Sequence, residues 1–530
     1  MTTERVVGPP GCGKTTWLSR QVRRAWEADN RVMVCSLTRT AAAEVAGRDL
    51  PIDKQAIGTL HAHAYHSLQA GRLEIADDAG HLAEWNQAHP DLQLSGGRSL
   101  DEDNSSISGQ PTEADALYLG YHNARAKMLL RNEWPGGVQR FAQVWDAWKR
   151  EQGFWDFSDL LEVALSQVDE APGHPDVIFA DEAQDFSKLE MSLLEKWGQA
   201  AGRLIIVGDP WQSLYEWRGA DSRLIFPDRE IDMVLAQSYR VPQAVHAAAV
   251  KWISAMPGWS PIEYLPTAAP GCVQPVTATW EQPELAADII ERTITDGASV
   301  MYLAATARML QPMLSVLRQR GVPFGNRFRT REGAWNPLRP RQNAVTAAQR
   351  LAAFLRLGYE GEWTKHDVLT WGKAVKATVT LPSGSWKKTE AALNNLPDRA
   401  VIEQGLWDAL VGPEAIEASM TADCQWWLDH LLASRRPTAD YPAAIAKHRG
   451  YQALIDDPLV TVGTVHSVKG GEADVVLVCP DVSVPGALEW AASDDGKAAI
   501  YRLFYVAMTR AKESLYILRP THLGRSVRLI

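Results

Sequence analysis

The amino-acid sequence predicts an α/β protein built from two parallel-sheet domains, each interrupted by an inserted, mainly helical segment. Short apolar runs at residues 177–180 and 204–207 are typical of strands that are buried on both faces of a parallel sheet. They alternate with segments of helical spacing, which is the pattern of a doubly wound domain. A second series of the same kind begins near residue 235. Because 530 residues exceed what one hydrophobic core can organise, we expect several domains.

The first half begins with a strand, a glycine-rich loop and a helix. The helix at 16–28 is predicted from the helical spacing of Leu18, Val22 and Ala25. The polar, Gly/Ser-rich stretch 95–111 predicts a loop inside an insertion. The predicted elements are strands at 6–7, 32–35, 177–180 and 204–207, with helices at 16–28 and from residue 41.

The second half repeats the alternation and contains a longer, Trp-rich insertion. Its predicted elements are strands at 300–303, 460–462, 474–478 and 515–518, with a helix at 307–319. The predicted units are a first α/β domain at 1–66 plus 140–234, an insertion at 67–139, a second α/β domain at 235–325 plus 456–530, and an insertion at 326–455.

Composition narrows the class of protein. The 46% hydrophobic and 22% charged residues are ordinary for a globular protein, and no run approaches the roughly 20 apolar residues that span a bilayer. The first residues run directly into a strand, so no signal peptide is expected and a cytoplasmic location is predicted. Five scattered cysteines exclude a zinc ribbon or a Cys-ligated iron–sulfur cluster. The net charge of −10 leaves room for a local basic groove, and most of the 21 tryptophans are expected in cores.

A phosphate-binding loop follows the first strand and matches the pattern G-x-x-x-x-G-K-[ST]. Its backbone N–H groups and the following helix N-terminus favour a phosphate. Lys14 is expected to reach the β- and γ-phosphates, and the Thr15 hydroxyl is expected to bind Mg²⁺. The predicted nucleotide-binding residues of this loop are Gly8, Pro9, Pro10, Gly11, Cys12, Gly13, Lys14, Thr15 and Thr16.

The acidic pair Asp181-Glu182 leaves the apolar strand at 177–180. Asp181 is expected to hold the magnesium ion, directly or through water, and Glu182 to accept a proton from the attacking water. The alternative is a pair of surface acids at a strand end. Together with Lys14, the pair predicts a nucleotide-hydrolysing enzyme.

A third segment, Val207-Gly-Asp-Pro-Trp-Gln212-Ser-Leu-Tyr215-Glu-Trp217-Arg218-Gly-Ala220, resembles motif III of the superfamily 1A DNA helicases, the UvrD/Rep/PcrA-like family. Other segments resemble further family motifs in the same order, and the match spans residues 8 to 518. These segments are 37–44 (Ia), 58–61 (Ib), 156–161 (the D-F-x-D-L-L element), 181–185 (II), 237–240 (IV), 464–472 (V) and 505–512 (VI).

The resemblance implies two RecA-like domains that bind ATP and Mg²⁺ between them. Arg240 and Arg510 are candidate arginine fingers, because cations from a second domain stabilise the γ-phosphate in transfer; surface salt bridges are the alternative. Gln212 is expected to sense that phosphate, Tyr239 to stack on the base and Glu472 to lie near the ribose, although Glu472 could equally be a solvated loop acid.

The same resemblance implies a track for single-stranded DNA. Trp217 offers a stacking plane and Arg218 a phosphate contact, with a buried core tryptophan as the alternative. The other implied DNA-binding residues, each of which could instead hold a loop, are Thr38, Arg39, His61, Tyr215 and His466.

The sequence departs from the family pattern at several points. The seven residues before Gly8 do not contain the family's L-N-x-x-Q adenine-reading element, which leaves the nucleotide preference open. Leu37 replaces the usual aromatic of motif Ia and Gly471 the usual leucine of motif V, so DNA stacking is expected to rest more on Trp217. Both insertions are short and diverged, which makes translocation a firmer expectation than strand separation, and a nuclease domain is not expected.

Three functions remain as hypotheses. The first is an ATP-dependent DNA helicase and single-strand translocase, with 3′→5′ movement implied by the family. The second is a translocase that removes bound proteins with little unwinding, and the third is a non-motor nucleotide switch with a protein partner. Expected partners are ATP, single-stranded DNA and single-strand/duplex junctions, with no membrane, for a monomer or weak dimer. The expected location is cytoplasmic: nucleoid-associated, or the host cytoplasm if the protein is viral.

Overall fold

A computed structural model describes most of the chain and confirms the predicted fold class. It contains two six-stranded parallel sheets surrounded by helices. The residues described are 2–37, 42, 45–68, 73–76, 79–95, 112–226, 231–327, 335–339, 344–398 and 400–530.

The first sheet has the strand order β3-β2-β4-β5-β1-β6. Its strands are β1 (Thr2–Val7), β2 (Val32–Ser36), β3 (Ile57–Thr59), β4 (Val177–Ala180), β5 (Arg203–Gly208) and β6 (Met233–Val234). Every residue of β2 and β4 is buried, because helices cover both faces of the sheet. The helices of this half are α1 (Lys14–Glu27), α2 (Leu60–Ser67), α3 (Ala79–Ala88), α4 (Glu113–Ala126), α5 (Gly136–Gln152), α6 (Phe157–Gln167), α7 (Lys188–Ala201) and α8 (Ser222–Ile225).

The second sheet has the order β7-β12-β11-β8-β10-β9. Its strands are β7 (Cys272–Val276), β8 (Val300–Ala304), β9 (Phe324–Gly325), β10 (Val460–Thr464), β11 (Ala473–Val478) and β12 (Ala511–Leu518). The helices that pack around this sheet are α9 (Gln243–Ile253), α10 (Glu284–Thr295), α11 (Ala307–Gln319), α20 (Val484–Ala492) and α21 (Asp494–Met508).

The second insertion is helical and has its own hydrophobic core. Trp363, Trp371 and Trp427 are buried there around Phe354, as expected for most of the tryptophans. Its helices are α12 (Ala347–Glu360), α13 (Lys365–Gly372), α14 (Ala377–Thr380), α15 (Trp386–Asn394), α16 (Gln404–Leu410), α17 (Pro413–Met420), α18 (Cys424–His430) and α19 (Asp440–Arg449).

The first insertion also has a separate core, and this core corrects one predicted boundary. The boundary at 139/140 falls inside α5. Phe141, Trp145 and Trp148 of that helix pack with Trp85 of α3. Since these side chains fill the insertion core, α5 belongs to the insertion.

Two further features bear on the predicted class of protein. Within the residues that the structure describes, no helix is long and apolar enough to cross a membrane. All five cysteines carry free thiols.

Candidate functional site: the cleft between the two sheets

The phosphate-binding loop connects β1 to α1, as the sequence predicts. Gly11 and Gly13 have positive φ angles of 76° and 74°, a conformation that glycine adopts without strain. The Lys14 ammonium, which is mostly buried, donates to the Gly8 carbonyl at 2.9 Å. The loop is therefore curled around its own lysine, with the N-terminus of α1 directed at the space above it.

The segment that leads into the second domain packs directly on this loop. Ser238 Oγ donates to the Pro10 carbonyl at 2.9 Å, and the Tyr239 N–H donates to the Gly11 carbonyl at 2.9 Å. A Cβ on Gly11 would lie 2.5 Å from Cβ of Arg240, so a side chain there would collide. Tyr239 and Arg240 are thereby held at the phosphate-binding loop.

The acidic pair lies where β4 ends. Asp181 is 2% exposed, and its carboxylate accepts the Glu182 N–H at 3.0 Å. Glu182 has a φ of 52°, a left-handed conformation that costs a non-glycine residue about 1–3 kcal/mol and is concentrated at functional sites. The Gln184 amide donates to Glu182 Oε2 at 2.7 Å and fixes its carboxylate.

Cations surround Glu182. The Lys469 ammonium, which comes from the second domain, lies 3.6 Å from Glu182 Oε2 and forms a shorter ion pair with Asp185. Burial raises the pKa of Glu182, but the positive charges of Lys14 and then Lys469 outweigh it, so the pKa is lowered to about 2. The carboxylate is therefore ionised at neutral pH and can accept a hydrogen bond from water.

Arg510 reaches across from the second domain to motif III. Its Nη2 donates to Gln212 Oε1 at 2.7 Å, and Gln212 Nε2 donates to Asp209 Oδ2 at 2.6 Å. Burial, and then the nearby Arg240, lower the pKa of Arg510. A guanidinium that has lost its hydration in this way gains strongly from an anion placed beside it.

The other predicted finger, Arg240, makes an ion pair with Glu472. The Arg240 Nε–Glu472 Oε2 distance is 2.7 Å, so two residues predicted to contact the nucleotide contact each other. Tyr239 is 78% exposed, which leaves its ring open to a base.

Most of these side chains line one cavity of about 780 Å³. Gly8, Pro9, Pro10 and Asp181 are not among the lining residues, and all four are buried. The predicted residues that line it are Gly11, Cys12, Gly13, Lys14, Thr15, Thr16, Glu182, Gln212, Tyr239, Arg240, Glu472 and Arg510.

Four lining residues had no predicted role. They are Arg48, Arg327, Lys469 and Gly470. Lys469 and Gly470 lie within the predicted segment 464–472, so the sequence alone could have placed them in the site. Arg48 and Arg327 lie outside every recognised motif, and only the fold brings them to the cavity.

Thr15 and Asp181 together fit a magnesium ion in their chemistry. A hydroxyl and a carboxylate are hard oxygen donors, and Mg²⁺ is usually held by one or two carboxylates together with substrate phosphates and water. Within the described residues, no group of three or more His, Cys, Asp or Glu side chains could hold a metal alone. The donor set is that of a metal shared with a nucleotide.

The loop that carries Gln212 also carries the predicted stacking residue. Trp217 is 40% exposed, whereas Tyr215 is 7% exposed. The Tyr215 ring packs 6.4 Å from Trp217 and 6.2 Å from His466, centroid to centroid, and the Arg218 guanidinium lies 5.9 Å from it. Tyr215 therefore packs beneath the more exposed Trp217, and its direct contact with DNA stays a prediction.

Comparison with known proteins identifies the family of this chain. Residues 2–230 match the UvrD/REP helicase N-terminal domain, and residues 442–520 match the UvrD-like helicase C-terminal domain. The chain belongs to the UvrD/Rep/PcrA-like helicases of superfamily 1.

Relatives of this UvrD-like helicase include three bacterial enzymes. ATP-dependent DNA helicase UvrD2 of Mycobacterium tuberculosis H37Rv is 24% identical over 96% of this chain and 75% of its own length. DNA helicase II of Escherichia coli K12 is 26% identical over 46% of this chain and 37% of its own. ATP-dependent DNA helicase PcrA of Bacillus subtilis 168 is 30% identical over 18% of this chain and 14% of its own.

The departures of this UvrD-like helicase from the family pattern have visible consequences. Leu37 is 3% exposed and packs in the core, so it offers no face to a base. Gly471 contributes its carbonyl, which accepts Arg510 Nη1 at 3.1 Å. Neither residue offers an aromatic ring to a base, so DNA stacking is still expected to rest on Trp217.

The remaining predicted DNA-binding residues fall in two groups. His61 packs edge-on against Phe157, with ring centroids 5.7 Å apart, and lines a small cavity of about 40 Å³ together with Arg218. Motifs Ib and III are thus adjacent in this helicase. Thr38 and Arg39 lie outside the described residues.

Proposed function

We propose that this UvrD-like protein is an ATP-dependent DNA helicase and single-strand translocase that moves 3′→5′. The proposal rests on the contacts of the loop that follows β5. At one end of it Gln212 accepts a hydrogen bond from Arg510 in the nucleotide cleft, at 2.7 Å. Five residues later Trp217 is exposed to solvent. One short segment therefore joins the hydrolytic site to a stacking platform.

The residues of the cleft have distinct roles in hydrolysis. Lys14 exchanges the Gly8 carbonyl for the β- and γ-phosphates of ATP, and Glu182 orients the attacking water and takes its proton. Arg240 and Arg510 stabilise the charge that spreads over the transferred phosphoryl group. Thr15 and Asp181 would hold Mg²⁺, which neutralises the phosphate charge when bound.

The second domain contacts the same loop at two residues. Arg510 contacts Gln212, and Arg502 forms an ion pair with Glu216, the residue before Trp217. Arg502 lies on α21, and Arg510 lies two residues after the end of this helix. A change in the distance between the two sheets therefore moves two contacts in the segment that leads into Trp217, which is how opening and closing of the cleft would advance DNA.

The first prediction concerns Glu182→Gln. Loss of the base is expected to lower ATP turnover by about 10²- to 10⁴-fold, while ATP still binds because Lys14 and the arginines remain. Single-turnover hydrolysis of ATP and equilibrium binding of ATP are both measured. Glu195→Gln, the same change at an exposed site on α7, is the control; wild-type turnover in Glu182→Gln would remove Glu182 from the mechanism.

The second prediction concerns Trp217→Ala. Stacking of one base on an aromatic ring is worth about 1–3 kcal/mol, so the Kd for an oligothymidylate is expected to rise roughly 5- to 150-fold. Fluorescence anisotropy measures it. Trp26→Ala, at a 50% exposed tryptophan on α1, is the matched control. Equal affinities for both variants would contradict a stacking role for Trp217.

Single-turnover unwinding tests the proposed function as a whole. We expect a duplex with a 3′ single-stranded tail to be unwound and one with a 5′ tail to remain paired. Displacement of streptavidin from biotinylated single strands is measured in parallel. Displacement without unwinding would favour the translocase that removes bound proteins, and unwinding of only the 5′-tailed duplex would overturn the polarity.

A further inference from the structure

The nucleotide cavity has two chemically different ends. One end contains Glu182, Gln212 and Arg510, the groups suited to the γ-phosphate. The other contains the exposed ring of Tyr239 and the first turn of α1. Tyr239 ring carbons lie 3.9 and 4.0 Å from the position that a Cβ on Gly13 would take, and Thr16 Cβ lies 4.0 Å from the same point. This second end is where a base would lie.

Arg48 belongs to this second end although it is in no recognised motif. Its Nη1 donates to Thr16 Oγ1 at 2.9 Å, and the residue lines the cavity. Its backbone is fixed as well, because its N–H donates to the Val45 carbonyl at 3.1 Å and its carbonyl accepts Arg23 Nη2 at 3.3 Å. A planar guanidinium is thus held at the first turn of α1, in the cavity that Tyr239 also lines.

We propose that Arg48 is a base-contacting residue, that it donates to the N7 edge of a purine stacked on Tyr239, and that this helicase consequently accepts GTP as well as ATP. This inference deepens the proposed function and rests on it. An arginine side chain has five N–H donors and no acceptor. It can therefore favour a base only through the acceptors that the base presents.

The two purines differ at that edge. Guanine presents two acceptors, N7 and O6, which match the fork of an arginine, whereas adenine presents the N7 acceptor beside an N6 donor. A donor-only residue cannot reject guanine in favour of adenine, since guanine satisfies it better. Pyrimidines have no N7 and would rely on Tyr239 alone, so the substrate class is purine nucleoside triphosphates.

Steady-state hydrolysis of ATP, GTP, CTP and 7-deaza-ATP tests the proposal. For the wild type we expect kcat/KM for GTP to equal or exceed that for ATP. The KM for 7-deaza-ATP, which carries a C–H in place of N7, should be roughly 10- to 100-fold higher, as for the loss of a hydrogen bond to a charged group. In Arg48→Ala, KM for ATP should rise by a similar factor, with no further rise for 7-deaza-ATP.

Two controls separate this inference from the proposed function. Arg20→Ala removes an equal charge from an exposed position on α1 and should match the wild type. Arg48→Lys keeps the charge without the planar fork. It should still favour purines over CTP, because an ammonium can donate to N7, but should lose any preference for GTP over ATP. If the wild type hydrolyses no nucleotide, the proposed function fails. If it hydrolyses ATP but rejects GTP, or if 7-deaza-ATP affects wild type and Arg48→Ala alike, Arg48 does not contact the base.

Discussion

Replacement of Arg510 by alanine is expected to lower ATP turnover by about 10³-fold or more, the range measured for arginine fingers. Arg510 is 1% exposed and already stripped of water, and it stands in the cavity that holds Lys14 and Glu182. Its charge is therefore available to the transferred phosphoryl group without reorganisation. The reduction should appear mainly in kcat, because the interaction strengthens in the transition state.

If Arg510 only supported the fold, its replacement would lower stability and leave kcat unchanged. The guanidinium also donates to the carbonyls of Val506 and Gly471, at 3.0 and 3.1 Å, so the variant could lose stability. Thermal unfolding and nucleotide binding are measured beside kcat, with Arg519→Ala, an exposed arginine of the same domain, as the control. A lower unfolding temperature with an unchanged kcat would show that Arg510 only supports the fold.

Replacement of Asp156 by asparagine is expected to destabilise the protein by about 3–5 kcal/mol, the cost of removing one member of a buried ion pair. Asp156 is 0% exposed, and its carboxylate accepts Arg125 Nη1 at 3.0 Å and Lys149 Nζ at 2.5 Å. Burial raises the pKa of Asp156, but Arg125 and Lys149 together hold it well below the usual range. An asparagine would leave both cations without their central anion and would direct an N–H₂ group at donors.

Urea denaturation of Asp156→Asn against the wild type measures this effect. Asp457→Asn is the matched control, because Asp457 is also paired with an arginine, Arg339, at 3.0 Å, but is 87% exposed. Exposed pairs contribute about 0–1 kcal/mol, so this control should unfold near the wild-type midpoint. Equal effects of the two substitutions would contradict the assigned role of the buried cluster.

The Asp156 cluster also explains why the D-F-x-D-L-L element occurs where it does. Asp156 caps α6, the helix that leads to β4 and the acidic pair, while Arg125 and Lys149 come from the insertion helices α4 and α5. The element thus fixes the first insertion to the nucleotide-binding domain. Sequence alone could identify Asp156 and Asp159 as a motif, but its basic partners are brought there only by the tertiary fold.

The strands that could be predicted from sequence are those whose side chains are buried on both faces. β4 is an unbroken apolar run, and its observed bounds equal the predicted ones. β1 begins four residues earlier than its apolar pair suggests, because its first half pairs only with β5 and carries polar side chains at the sheet margin. β7 contains Pro275 and lies at a sheet edge, where a missing N–H is tolerated. Because it has no continuous apolar run, the sequence does not predict it as a strand.

The residues of the candidate site also fall into those that the sequence predicts and those that only the fold brings together. Lys14, Asp181 and Glu182 could be predicted because their roles require neighbouring positions in one short motif. Arg48 could not, since its approach to Thr16 depends on the path of the chain after β2. The role predicted for Tyr215 follows from its motif, whereas its burial depends on residues such as His466, which is distant in sequence.

One loop, from Asp209 to Ala220, is proposed to couple the nucleotide cleft to a surface that stacks on DNA. The decisive measurement is ATP turnover of the intact protein at saturating ATP, titrated with oligothymidylate. We expect single-stranded DNA to raise turnover several-fold, and Trp217→Ala to require more DNA to reach half of the effect. Turnover that is the same with and without DNA would show that the loop does not couple the two sites.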